Sequence, residues 1–194
     1  MRDRPGASSL ATGGTLGGSQ AGARLIYRFT PAIAASLRFS SGISGVRDAE
    51  AAAGIRVQPL RNIPVAFTVE RREGIGKWGG RSAFAAFAEG GLYHRPIAGR
   101  VLLDAYAQAG VVGIRSRDWF ADGGLTLSHP LWRNLSGGFG MWGGAQPGLY
   151  RLDAGPRVTL DLGRGIRVHG DYRQRLVGNA APPSGPALTI AADW

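Results

Sequence analysis

The residues best placed to do chemistry are His169 and Asp171, in the stretch "IRVHGDYRQR". Two positions apart, they share one face of an extended chain, because strand side chains alternate with period two. An imidazole beside a carboxylate is the arrangement of a general base, which an enzyme uses to activate a nucleophile. No Ser or Thr is fixed beside the pair by the sequence. Cys is absent, which excludes thiol catalysis, zinc–thiolate sites and disulfides. The remaining histidines, His94 and His129, fall in turn-like segments. "GGTLGG" lacks both the Lys-Ser/Thr ending and the strand-to-helix context of a phosphate loop. No carboxylates have calcium-loop spacing and no two-His-one-carboxylate set emerges, so neither metal nor cofactor is expected. His169 and Asp171 are therefore read first as a polar couple inside a fold, and as catalytic only in the alternative.

The larger chemical signal is charge. The chain carries +10 at pH 7, from 22 Arg and one Lys against 13 Asp and Glu. Arg24, Arg28, Arg38, Arg56, Arg72, Arg100, Arg151, Arg157, Arg167, Arg173 and Arg175 share a parity with Glu50, Glu70, Glu89, Asp104, Asp122, Asp153, Asp161, Asp171 and Asp193. Eleven cations thus meet nine anions on one face, and the excess of +8 lies in loops, turns and the amino-terminal segment. Opposite charges on neighbouring strands can form bidentate Arg–carboxylate ladders. Nucleic-acid binding is not expected, because the basic residues alternate with acids instead of forming a basic helix or an aromatic-bearing sheet face.

The elements that must carry this ladder are strands. In "AIAASLRFSS", Ile33, Ala35, Leu37 and Phe39 alternate with Ser36, Arg38 and Ser40. The same count gives strands near residues 18–29, 32–41, 49–58, 64–72, 82–90, 100–111, 119–128, 135–146, 151–162, 166–177 and 187–194. "AFAAFAEGG" also admits a short helix. No run reaches the ~18 apolar residues of a spanning helix. Many of the strands have the ~9–11 residues that a tilted strand needs to cross a bilayer. Connections alternate between short, such as "TP" and "GRG", and longer, such as "GNAAPPSGP", with "GLYHRPIAG" and "QPGLY" as exceptions. Short turns at one end and longer loops at the other fit a membrane barrel. Trp78, Trp119, Trp132, Trp194, Tyr93 and Tyr150 near strand ends fit its aromatic girdles, while Trp142 has interior parity and does not.

The expectation is an all-β, antiparallel transmembrane barrel over residues 18–194, with about 11 visible strands, and a Gly/Ser-rich loop or remnant of a first hairpin over 1–17. Its interior ladder is Arg24, Arg38, Arg56, Glu70, Arg100, Asp104, Arg151, Asp153, Arg157, Arg167, Asp171, Arg173 and Arg175. Single-chain bacterial barrels have an even strand number, so a twelfth strand is expected in the full-length product. It would come from an upstream extension that begins with a signal sequence, or raggedly from residues 5–16.

"MWGGAQPGLYRLDAGPRVTL" and "VHGDYRQRLVGNAAPPSGPALTIAADW" resemble the carboxyl-terminal barrel region of NfrA-like bacteriophage adsorption proteins and related outer-membrane proteins of alphaproteobacteria, over roughly residues 60–194. The resemblance implies a bacterial outer-membrane location, lipid and lipopolysaccharide as surroundings, and a part in exopolysaccharide export or phage docking. Family members carry a helical-repeat periplasmic part before the barrel, which makes a periplasmic helical-repeat protein a candidate partner beside an acidic polysaccharide. Leu188, Ile190, Ala192 and Trp194 are similar to the terminal signal by which the barrel-insertion machinery reads such proteins. The function expected is non-enzymatic: surface polysaccharide export or a phage or surface receptor component. The alternatives are an outer-membrane barrel enzyme built on His169 and Asp171, and a soluble β-sheet binding module.

Overall fold

The computed structural model describes residues 20–42, 49–60, 62–75, 82–113, 118–181 and 183–192. They form eleven strands: β1 (Gln20–Arg28), β2 (Ile33–Gly42), β3 (Ala49–Val57), β4 (Val65–Ile75), β5 (Ala83–Ala98), β6 (Val101–Val112), β7 (Asp118–Pro130), β8 (Leu135–Gln146), β9 (Leu149–Gly163), β10 (Ile166–Gly178) and β11 (Gly185–Ala192). Each pairs antiparallel with its sequence neighbour in one sheet of order β1 to β11. No helix occurs among the described residues.

All eleven expected strands are present, and "AFAAFAEGG" is strand, not helix. The main departure is β5, which runs through "GLYHRPIA" to Ala98. Gly and Pro in that segment mark a loop in sequence terms, but register shifts at Leu92/Arg95 and Pro96/Ala98 absorb them as bulges. His94 takes a positive φ of 50° there, and its N–H donates to Asp104 Oδ1 at 3.0 Å. The β5–β6 connection therefore shrinks to Gly99 and Arg100. His129 likewise belongs to β7 and not to a turn.

The sheet curls. Arg24 on β1 donates to both carboxylate oxygens of Glu89 on β5, at 2.7 and 2.9 Å. Across four flat inter-strand spacings the two backbones would lie roughly 19 Å apart, beyond the combined reach of the two side chains. The face carrying Arg24 and Glu89 must be concave. The same bending brings Ala180, between β10 and β11, into one apolar cluster with Ala83, Ala85 and Phe87 of β5, Val112 of β6 and Phe120 of β7. This cluster lies at the end carrying the 76–82, 113–117 and 179–184 connections.

Among the described residues no pairing joins β1 to β11, so the closed barrel expected from the sequence is present only as this curled, open-edged sheet. In an eleven-strand meander the first and last strands run parallel. Direct closure would need a parallel pair, and antiparallel closure one more strand between them. Residues 1–17, Trp78 and Trp194 lie outside the described residues.

Close packing on the concave face depends on small residues beside large ones. Across β2 to β5 one register row reads Arg38, Ala52, Arg72, Ala83, and another reads Ser36, Gly54, Glu70, Ala85. A Cβ on Gly54 would run into the Val69 carbonyl oxygen and stand 2.6 Å from Glu70 Cα. Gly54→Ala is therefore expected to lower stability by about 1–3 kcal/mol through overpacking, read as a shift in the urea midpoint. An unchanged midpoint would refute that close approach.

Candidate functional site

The concave face inverts the usual distribution of polarity. Arg38, Glu50, Thr68, Glu70, Arg72, Glu89, Arg151, Asp153, Arg157, His169, Asp171 and Arg173 are buried, while Leu37, Phe39, Phe67, Val69, Leu125, Phe139 and Ile190 on the opposite parity are exposed. Strand alternation alone produces this separation, since residues i and i+2 point the same way.

The buried charges form three groups. On β1 to β5, Glu89 accepts from Arg24, from Arg56 Nε at 2.8 Å and from Thr68 Oγ1 at 3.4 Å, while Arg24 Nε donates to Ser36 Oγ at 3.0 Å. Beside it, Glu70 Oε1 accepts from Arg38 Nη2 at 2.7 Å and Arg72 Nε at 2.8 Å, and the same Arg38 nitrogen reaches Glu50 at 2.9 Å. On β8 to β10, Arg157 grips Asp171 through Nε at 2.6 Å and Nη2 at 2.9 Å, and Arg173 adds a third bond at 2.9 Å. Arg151 and Asp153 pair nearby at 2.6 Å.

Trp142, the aromatic that fits no girdle, belongs to this third group. Its ring lies under Arg173 at 4.2 Å and Arg157 at 5.1 Å. A desolvated cation over an indole face gains on the order of 2 kcal/mol, which accounts for an aromatic of interior parity. Arg72 leans similarly over Phe120 at 5.4 Å and joins the charge network to the apolar cluster.

Nine of the thirteen expected ladder residues, Arg24, Arg38, Arg56, Glu70, Arg151, Asp153, Arg157, Asp171 and Arg173, meet opposite charge on the concave face. Arg100 is a correction. It sits in the exposed β5–β6 turn, because parity loses its meaning where the strand ends. Asp104 lies half-buried near that turn and holds His94 instead of an arginine. Arg175 turns to the backbone, donating from Nη1 to the Ala180 carbonyl at 2.9 Å. Arg167 is half-buried opposite Asp161 in the β9–β10 register. Leu188 and Ile190 project outward, and Ala192 closes β11.

His169 Nδ1 lies 2.8 Å from Thr159 Oγ1, and Asp171 is held by the guanidinium groups of Arg157 and Arg173. A carboxylate held by Arg157 and Arg173 is not oriented to support an imidazole base. Among the described residues no three His, Asp or Glu side chains gather as a metal site requires.

Several buried atoms, Arg38 Nε and Nη1, Glu50 Oε2 and Arg173 Nε, meet no hydrogen-bond partner among the described residues. Buried polar atoms of this kind are what water satisfies in a polar cavity. Glu89, which anchors the first group, is the residue that parity placed inside without marking its importance. Its role follows from curvature, for which the sequence carries no local signal. Comparison with known proteins found no matching family model, no matching curated protein and no matching solved structure.

Proposed function

We propose that this chain is a non-enzymatic β-barrel of the bacterial outer membrane that serves as a phage or surface receptor component, with surface polysaccharide export as the second reading. The observation that carries the membrane part is the inversion of polarity: ion-paired arginines and carboxylates buried on the concave face, large apolar side chains exposed on the convex one. A sheet in water loses by that arrangement and a sheet in lipid gains, since apolar surface is solvated by acyl chains while charge at the midplane costs about 2–4 kcal/mol. Lipid and lipopolysaccharide are then its surroundings, with insertion by the barrel-insertion machinery.

The receptor part rests on how the interior is filled. Bridges from β1 to β5 cross the concave side, and the Phe87–Phe120 cluster fills one end of it, with ring centroids 6.0 Å apart. A conduit for an acidic polymer needs an open polar path, whereas docking needs only a rigid frame that presents loops. The commitment of Asp171 to Arg157 and Arg173 counts against the enzyme alternative, and the convex apolar surface counts against a soluble module.

Membrane fractionation with gel mobility before and after boiling tests the location. A heat-modifiable band confined to the outer-membrane fraction is expected, and a detergent-free soluble monomer would end the reading. In planar bilayers the wild type is expected to give conductance near baseline. Stable openings of a water-filled pore would overturn the braced interior and put export ahead of docking.

A further inference from the structure

The arginines at the short-turn end behave differently from those on the concave face. Arg28 at the end of β1, Arg95 near the end of β5, Arg100 in the β5–β6 turn, Arg133 in the β7–β8 turn and Arg164 in the β9–β10 turn are all exposed. None has an ion-pair partner among the described residues. Antiparallel order places all these connections along one edge of the sheet, so they form a basic row. The carboxylates described at that edge are otherwise engaged. Asp104 holds His94, and Asp161 Oδ1 accepts from the Gly163 N–H at 2.7 Å.

Two further observations point to what this row meets. Large apolar side chains stand exposed between the arginines, notably Phe29, Leu60, Leu131 and Trp132, the last at 77%. Basic groups alternating with apolar anchors suit a boundary between headgroups and acyl chains better than bulk water. In addition, Arg164 adopts a positive φ of 53°, followed by Gly165 at 77°. A two-residue hairpin turn of that geometry favours Asn or Gly, so the guanidinium is presented there against backbone preference.

We infer that this edge is a collar that binds the phosphates of anionic glycerophospholipids in the leaflet on the short-turn side. The inference rests on the membrane reading proposed above. In a bacterial outer-membrane barrel the short turns are periplasmic, so this partner is distinct from the lipopolysaccharide on the loop side. Guanidinium groups suit the contact because they bind phosphate oxygens bidentately and remain weakly hydrated.

The full chain, folded in detergent, is mixed with equimolar phosphatidylglycerol and phosphatidylcholine, and the lipid it retains is counted by native mass spectrometry. Each basic residue near an anionic surface contributes about fivefold to partition. The wild type is therefore expected to prefer phosphatidylglycerol strongly, and the triple variant Arg100→Gln, Arg133→Gln, Arg164→Gln to lose at least about tenfold of that preference. Arg71→Gln, at the opposite end, should leave it unchanged. A heat-modifiable band from every variant separates loss of binding from loss of fold. Equal retention of the two lipids by the wild type, an undiminished preference in the triple variant, or displacement of the lipid by inorganic phosphate alone would overturn the collar. Insertion into pure phosphatidylcholine vesicles is scored separately. Failure there refutes the membrane reading, whereas insertion without lipid preference refutes the collar alone.

Discussion

Replacing Glu70 with Gln is expected to destabilise the folded protein by about 3–5 kcal/mol. Glu70, Arg38 and Arg72 are each no more than 3% exposed at their side chains, and one oxygen, Oε1, receives both guanidinium groups. The amide keeps the shape but removes the charge, leaving two buried cations with Glu50 as the remaining carboxylate of that group. A buried ion left without its counter-charge retains its desolvation cost and loses its compensation. Urea unfolding in lipid vesicles reads the change as a lower midpoint. Adding Arg72→Gln should restore part of the loss, with a coupling of about 0.5–3 kcal/mol between the two sites. Glu73→Gln is the control. Its partner Arg71 lies 2.6 Å away, but both side chains are about half exposed, so the midpoint should not move. Equal shifts from Glu70→Gln and Glu73→Gln would mean that the concave face is no drier than the exposed loop end of β4.

The contrast between Glu70 and Glu73 also shows what was legible in the sequence. Period-two alternation is a local property, so strand positions and the sorting of Arg38, Glu70, Arg157 and Asp171 onto one face follow from residue order. Partner choice does not. Glu89 meets Arg24 only because four inter-strand spacings bend, and bending is the summed twist and coil of the sheet, with no residue of its own. Parity assigns Arg100 to the interior, but parity stops where its turn begins. "GLYHRPIA" read as a loop because Gly and Pro usually punctuate strands, whereas here two register shifts accommodate them and lengthen β5. Trp142 is anomalous only if aromatics belong at the girdles alone. Arg157 and Arg173 supply its reason, and they approach it from β9 and β10 across the sheet.

Parity also separates a sheet in lipid from a sheet in water through one experiment on the convex face. Val69, in the middle of β4, is 56% exposed, and Phe139, in the middle of β8, is 53% exposed. If these faces meet water, Val69→Arg and Phe139→Arg are surface substitutions worth within about 0.5 kcal/mol either way. If they meet acyl chains, each is expected to cost about 2–4 kcal/mol, because the guanidinium must be solvated at the depth where water is scarcest. Leu131, exposed in the β7–β8 turn, supplies the depth control. Leu131→Arg should cost about 0–1 kcal/mol, since an arginine near the interface keeps its hydration. The discriminating result is this depth profile, measured by unfolding from vesicles: large penalties in mid-strand and a small one at the turn. Small, equal penalties at all three positions would place the convex face in water, and the outer-membrane proposal would fall with it. A steep profile would instead explain why the mid-strand arginines share one parity, because an arginine on the other parity at that depth would carry the same penalty.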